Sequence, residues 1–403
     1  MAHKNHCVNP PKYNWFDILI SIVFMFFFRK KNKSKNTKQC IAFVGPYNIT
    51  CGISTYNEEL LKHLSKHIEF KIFADYADDC KSERIAGDPD YVVRCWDRSE
   101  YPKKKLINAI SEYNPSLVHI CHEYGFWSKA YYFTNLVSIL KSKGLKVITT
   151  LHSVYEHKDK VVSENVSDHL IVHTMAAKNC LARKGISEDK IDVIPHGAEV
   201  GKKPLNSLWN TWGIEHTIFQ PGFLFYYKGH LKMIEVVKNL KAKYPDIHYI
   251  IQGSENKNTQ SEHDALYNDL LAKIKEYGLE DNVTINRGFV DKEVLMSYIR
   301  TTKVCVLPYS PHPDHDVYAT SGIARMVLST TTPLIVSNAH LFDDLEGVVP
   351  RASSIEEFSD CIEKVFENKD DNQLEARIKL LDAVNWDTVA QSTYNLYQKL
   401  ILK

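Results

Sequence analysis

Two successive trains of short apolar segments, each alternating with amphipathic ones, constrain this chain more than any other feature. The first opens with "CIAFVG" (Cys40 to Gly45), a buried strand, followed by the loop "PYNITCG" and the helix "STYNEELLKHLSKH", with a capping box from Thr55 to Glu58. It continues through "EFKIFA", "SLVHICHEY", "AYYFTNLVSILKSKG", "KVITTLHSV", "HLIVHT" and "KIDVIPHG". Around "VGKKPLNSLWNTWGIE" the pattern stops, and it restarts at "TIFQPGFL". "HLKMIEVVKNLKAKYP", "IHYIIQGS", "ALYNDLLAKIKEYGL", "VTINRGF", "DKEVLMSYIRTT", "VCVLPY" and "SIEEFSDCIEKVFEN" follow. Apolar strands separated by helices imply parallel βαβ units, so the pattern predicts an α/β chain of two doubly wound, Rossmann-like domains. Two such domains joined by a linker place a cleft between the carboxyl ends of their sheets, where ligands of this architecture bind. The expected organisation is an arm over 1–38, a first domain over 39–200, a linker over 201–215 and a second domain over 216–384. A closing helix over 385–403 crosses back to the first domain.

A length of 403 residues exceeds what one core usually fills, in keeping with two domains. The net charge of +1 leaves no basic field to attract a nucleic-acid backbone. Nine cysteines, widely spaced and without a C-x-x-C pair, read as reduced thiols of a cytoplasmic protein rather than a disulfide framework or a zinc site. The arm departs from this pattern. Its apolar run from Ile18 to Phe28 is about half the roughly 20 residues that span a bilayer, and a basic tail from Arg29 to Lys38 follows. That combination reads as an anchor lying in an anionic membrane surface. The alternative is an arm packed on the protein itself or on a second copy of the chain.

Candidate chemistry gathers at predicted strand ends. His122 and Glu123 follow the strand containing His119, but residues three apart on a strand point to opposite faces, so the two imidazoles do not form a metal pair. His119 reads as a core histidine, and His152, at the carboxyl end of "KVITTL", as the one placed to touch a substrate. Lys228 stands between Gly222 and Gly229 in a strand-to-helix connection, a position from which a cation can neutralise a diphosphate. Gly52 and the Thr320-Ser321-Gly322 turn each precede a helix, where a small residue admits a ligand to the backbone. "PDHD" (Pro313 to Asp316) reads as a solvated turn.

In order, the stretches "GPYNITCGISTYNEELLKHL", "PSLVHICHEYGFW", "VITTLHS", "DVIPHGAE", "GFLFYYKGHLKMIEVV", "INRGFVDKEVLMSYIRTTKVCVLPYS", "ATSGIARMVLSTTTPLIVS" and "NWDTVAQSTYNLYQKLI" resemble the retaining glycosyltransferases of family 4, which have the GT-B fold. The likeness runs from about Cys40 to the end of the chain. It implies transfer of a sugar from a nucleotide-diphosphate sugar to a saccharide or glycolipid acceptor, with retention and without a bound metal or other cofactor. His152 and Lys228 would be catalytic. Gly52, Gly222, Lys228, Gly253, Arg287, Gly288, Phe289, Ser321 and Gly322 would hold the donor, and His122, Glu123 and Tyr124 are acceptor-side candidates. Many members carry an arginine where this chain has Phe223 or Phe225, and two glutamates where it has Tyr318 and Met326. A subset has a Ser-Gly turn instead, as here. A GT-B-fold protein that binds a nucleotide or glycan without turnover, and a sugar-nucleotide epimerase of the same fold, are the alternatives. The implied location is the cytoplasm, with peripheral contact to a membrane.

Overall fold

Parallel strands cannot be joined by a tight turn, so a chain of them crosses over its own sheet after each strand, usually as a helix. Both halves of this protein are built that way. The computed structural model describes residues 39–77, 80–157, 167–199, 214–255, 259–310, 317–369 and 374–402. The N-terminal arm, the linker up to residue 213 and the "PDHD" run lie outside the described residues.

The first half contains β1 (Gln39–Val44), β2 (Ile68–Asp75), β3 (Val92–Trp96), β4 (Leu117–His122), β5 (Val147–Leu151), β6 (Ser153–Tyr155), β7 (His169–Val172) and β8 (Ile191–Val193). All but β6 form one parallel sheet in the order β3-β2-β1-β4-β5-β7-β8. Its crossovers include α1 (Gly52–Leu64), α2 (Lys104–Tyr113), α3 (Ala130–Ser142) and α4 (Met175–Arg183). Successive residues of β1 face opposite cores. Ile41 and Phe43 pack with Tyr56, Leu60 and Leu64 of α1, whereas Ala42 and Val44 pack with Leu106 of α2 and Phe133 of α3. A strand buried on both faces reads as a continuous apolar run, which is why "CIAFV" shows no alternation.

The second half repeats the plan with β9 (Thr217–Phe223), β10 (His248–Ser254), β11 (Val283–Arg287), β12 (Val304–Leu307), β13 (Val317–Ala319), β14 (Leu334–Ser337) and β15 (Arg351–Ala352). Its parallel sheet has the order β11-β10-β9-β12-β14-β15. The helices are α5 (His230–Lys241), α6 (Gln260–Glu276), α7 (Lys292–Thr301), α8 (Gly322–Leu328), α9 (Ile355–Phe366), α10 (Leu374–Val384) and α11 (Trp386–Ile401). Ile218 of β9 joins the core under α5, α6 and α9, and Phe219 the core under α7 and α8. Each such fully buried side chain contributes about 1.5–3 kcal/mol through removal of apolar surface from water. In both sheets the chain reverses direction of travel beside its first strand, between β1 and β4 and between β9 and β12, and each reversal opens a crevice at the carboxyl edge.

One local expectation fails. The helix α1 begins at Gly52 with Cys51 as its N-cap and no side-chain cap, so Thr55 to Glu58 is not a capping box. Ser54 and Glu58 bond each other inside the first turns (2.8 Å), and both reach back to the preceding loop, at Ile49 N (3.1 Å) and Asn48 N (2.9 Å). The loop's need for acceptors outweighs the local capping signal, and the N-cap falls four residues earlier, at Cys51.

Beyond α10 the chain returns to the first domain. Ala198 N–H donates to Val384 O (2.8 Å), and Ala198 and Asn385 form an isolated parallel bridge. From there α11 lays Trp386, Val389, Ala390, Leu396 and Tyr397 into the core under α1. Trp386 fits because residue 197 has no side chain: a Cβ on Gly197 would stand 2.3 Å from the indole ring. Gly197→Ala is therefore expected to cost about 1–3 kcal/mol by overpacking. Gly125→Ala, whose added methyl meets nothing within 4 Å, should change stability by less than about 0.5 kcal/mol. Urea unfolding of the two variants checks this, and equal midpoints would contradict the account of the slot.

Candidate functional site

The two carboxyl edges enclose a cleft made of two adjoining cavities of about 370 and 690 Å³. Gly52, His196, Phe223, Lys228, Tyr309 and Gly322 line both, so residues from each half wall the same space. Three cross-domain ties hold the edges together besides α11. The β6 strand leaves the first sheet and pairs antiparallel with β13, Ser153 opposite Ala319 and Tyr155 opposite Val317. Lys292, at the start of α7, bonds Glu59 of α1 at 2.6 Å and Glu199 at 2.7 Å. At the turn before α8, Gly322 faces His196 of the first domain, where an added Cβ would make ordinary contact with Nε2 at 3.6 Å.

Lys228 ends a 3-10 turn after β9 that is fixed by its neighbours. Gln220 of β9 donates to the Lys228 carbonyl (2.8 Å) and is itself held by the Tyr249 hydroxyl (2.5 Å). Gly229 has φ +76°, and a Cβ there would meet Pro308 O at 2.1 Å, so only glycine lets the turn press against the end of β12. The Lys228 Nζ lies 3.7 Å from the Tyr309 ring centroid and 5.0 Å from that of Tyr227. Among the described residues it makes no ion pair. Burial lowers its pKa from the ordinary lysine value. Aromatic faces steer this cation without neutralising it, which leaves it suited to an incoming anion.

His152 closes the opposite wall, at the end of β5. Its Nδ1 lies 3.2 Å from His173 Nε2, and the Tyr56 ring meets it edge-on at 4.7 Å. Burial drives its pKa well below the usual histidine value, with the neighbouring histidines adding to the effect. Its Nε2 has no hydrogen-bond partner among the described residues. The imidazole is therefore neutral at pH 7, with one nitrogen left without a partner among the described residues.

The other sequence-derived candidates divide. Gly52 and Gly222 line the smaller cavity, Gly222 at φ +142°. Ser321 and Gly322 line it too, but Ser321 is the N-cap of α8, its Oγ accepting from Ala324 N at 3.2 Å. Glu123 lines the larger cavity and is oriented by Ser153 Oγ (2.6 Å) and the Tyr124 N–H (2.9 Å). His122 and Tyr124 do not line either cavity. The His122 ring packs on Tyr124 and Phe133, and burial lowers its pKa to about 3. His119, on the opposite face, is bonded to Tyr397 (2.6 Å) and Thr150 (2.7 Å) as a core histidine.

On the second domain, Phe289 stands 60% exposed at the lip of the smaller cavity. Arg287, Gly288 and Gly253 are not in its wall. Arg287 is occupied by Glu255 and Asp264 and lies over the Tyr267 ring, and Gly253 makes room for Leu224, which a Cβ would meet at 2.4 Å. Their neighbours Gln252 and Ser254 line the cavity instead. Phe223 also lines it, whereas Phe225 stacks on Tyr227 and packs at a tilt against His263.

Sequence reasoning missed Arg325, which is buried in α8 and lines the smaller cavity. It pairs with Asp344, while its Nε and Nη1 have no partner among the described residues. The signal was an arginine at a core-facing position of "GIARMVL", where a buried charge needs a partner. The Lys292 bridge left no such signal, because its partners lie in another domain.

Comparison with known proteins gives a consistent picture. Residues 50–202 match the family described as Glycosyltransferase Family 4, and residues 213–379 the family described as Glycosyl transferases group 1. A phosphatidylinositol N-acetylglucosaminyltransferase subunit of Arabidopsis thaliana is 23% identical over 177 residues, which is 41% of this chain. The chain spans only 39% of the length of that relative. A glycosyltransferase from Rickettsia africae superposes with a TM-score of 0.66 at 17% identity, covering 91% of this chain and 99% of the other. HepE of Anabaena in complex with UDP gives 0.68 at 13% identity, over 89% and 99%. At these identities the two structures establish the shared fold.

Proposed function

We propose that this chain, a glycosyltransferase of the GT-B fold by its two domains, moves a sugar from a nucleotide-diphosphate sugar to a hydroxyl of a saccharide or lipid-linked saccharide, with retention of anomeric configuration. The observation that carries this reading is the pairing of Lys228 and His152 across one cleft. One is a half-buried cation over aromatic rings, without an ion pair among the described residues, and the other a neutral imidazole whose buried Nε2 has no partner among them. The first suits a diphosphate and the second a sugar hydroxyl. HepE of Anabaena, similar in fold, was crystallised with UDP and with UDP-glucose, which supports a nucleotide sugar as the ligand class.

In this reading the acceptor hydroxyl attacks the anomeric carbon on the face from which the diphosphate leaves. The bond from that carbon to the phosphate oxygen breaks as the bond to the acceptor oxygen forms. The departing phosphate oxygen takes the acceptor's proton, so no side chain acts as a strong base. The protein contributes positioning and charge stabilisation. Lys228 neutralises the diphosphate as it leaves, in place of a bound divalent metal, and Gly52, Gly222 and the Ser321–Gly322 turn let the backbone approach the phosphates. Phe289 offers an aromatic face to the base. Glu123 lies on the acceptor side.

A second reading is binding without turnover. It is favoured by Phe223, an apolar side chain in the cavity wall where the resemblance places a second cation. Calorimetry followed by a transfer assay separates the two. Lys228→Met should weaken UDP binding at least about 10-fold while leaving uridine binding unchanged, because the lost term is a charge-assisted hydrogen bond to phosphate. Equal losses for both ligands would place the lysine away from the phosphates. Release of sugar from a bound nucleotide sugar supports the enzyme, and tight binding with no release over a panel of donors supports the binder.

The acceptor reading places the protein peripherally at the cytoplasmic face of a membrane. Its support is the apolar and basic sequence of residues 18–38 and the lipid named in the plant relative's activity. Among the described residues no helix is long and apolar enough to cross a membrane. Deleting residues 1–38 should abolish sedimentation with anionic liposomes while leaving the thermal transition in place. Undiminished sedimentation would rule out the arm as the anchor.

A further inference from the structure

The pair formed by His152 and His173 has its proton positions set by a single carbonyl. His173 Nδ1 lies 3.0 Å from the backbone oxygen of Ile194, and since a carbonyl only accepts, that nitrogen carries the hydrogen. His173 is buried, which lowers its pKa to about 4, so at neutral pH its Nε2 is a bare lone pair. That lone pair faces His152 Nδ1 at 3.2 Å, and the contact is a hydrogen bond only if His152 Nδ1 is the donor. His152 is neutral as well, so its own Nε2 is an acceptor, and that atom is the one without a partner among the described residues.

The surroundings reinforce this state. Tyr56 packs against His152, His173 and His196, which fixes the ring planes. The side chains acting electrostatically on the pair are His119, His122, His196 and Arg325, all neutral or positive; the Ile194 carbonyl favours a charged His173, but burial outweighs it. His196 is separately tied through its Nδ1 to Gly197 O (2.8 Å) and does not compete for the His152 nitrogens.

We propose that His173 is a positioning residue that holds His152 as its Nδ1–H tautomer, so that the cleft presents a hydrogen-bond acceptor and selects a sugar bearing a hydroxyl, not a carboxylate, at the point facing His152. The sugar-selecting half rests on the reading of the cleft as a nucleotide-sugar site, and the tautomer half does not. A hydroxyl donates its hydrogen to His152 Nε2, and the donors then run in one direction, from sugar to His152 to His173 to Ile194. A carboxylate sets lone pair against lone pair in a place that disfavours protonating the ring. It should bind at least about 10-fold more weakly, the cost of leaving a buried acceptor unmatched.

The tautomer is read directly by long-range proton–nitrogen correlation NMR of the full chain labelled with ¹⁵N-histidine, the His152 signals being assigned through His152→Asn. The expected result is a protonated Nδ1 and a bare Nε2 on His152. His173→Gln, whose amide oxygen can accept the same hydrogen, should preserve that state, and His173→Phe should lose it. A protonated His152 Nε2 in the unaltered protein overturns the proposal, as does an unchanged His152 tautomer in a folded Phe variant. Should the Phe variant not fold, the unaltered protein's tautomer alone decides. Calorimetry with UDP-glucose and UDP-glucuronate then tests selection. Weaker binding of the glucuronate supports it, and equal binding, or no binding of either, overturns the sugar-selecting half. Absence of binding by UDP itself would count against the nucleotide-sugar reading while the NMR result stands on its own.

Discussion

The contact on which the rest depends is the seat of Trp386 against Gly197. A two-domain chain with one connection could place its sheets at many angles, and a ligand site shared between them would then exist only part of the time. Here the chain crosses back, and its first aromatic residue after the crossing fills a slot that exists because residue 197 lacks a side chain. Trp386 also packs on Tyr56 and His196. Tyr56 in turn braces His152, and His196 lines the cleft, so the packing that joins the halves is continuous with the packing that shapes the site. The β6–β13 ribbon and the Lys292 bridge add polar ties on the cleft side of the same junction.

This arrangement accounts for the unusual chemistry of the cleft walls. A lysine and several histidines are buried or half-buried at the junction, which lowers the pKa of each. The histidines become fixed neutral hydrogen-bonding groups. The lysine sits over aromatic rings without an ion pair among the described residues. Such preoriented groups need little reorganisation when charge develops on a leaving group, which is where electrostatic catalysis gains most.

Much of this was legible in the sequence because it rests on local pattern. Strands such as "CIAFV" and "VCVL" are apolar without alternation, helices between them carry one apolar face, and the pattern repeats after a break, which dictates two doubly wound sheets. Strand-end positions then pointed to Gly52, His152, Gly222 and Lys228, all of which line the cleft. What was not legible depends on distant partners. Arg287 looks like a free cation beside a glycine until Glu255 and Asp264 are seen to occupy it. Gly253 suggests a ligand approach, yet the close neighbour is Leu224. His122 is turned into an aromatic pocket by the face of β4 on which it falls. The β6–β13 ribbon consists of two three-residue strands, too short for any periodicity to announce them.

The central claim is that one nucleotide sugar spans the cleft, with its diphosphate at Lys228 and its sugar beside His152. A crystal structure of the full chain soaked with UDP-glucose tests this most directly. The account predicts a phosphate oxygen within hydrogen-bonding distance of Lys228 Nζ and a sugar hydroxyl on His152 Nε2. Density for the diphosphate away from Lys228, or a sugar directed away from His152 with the nucleotide bound, would contradict it.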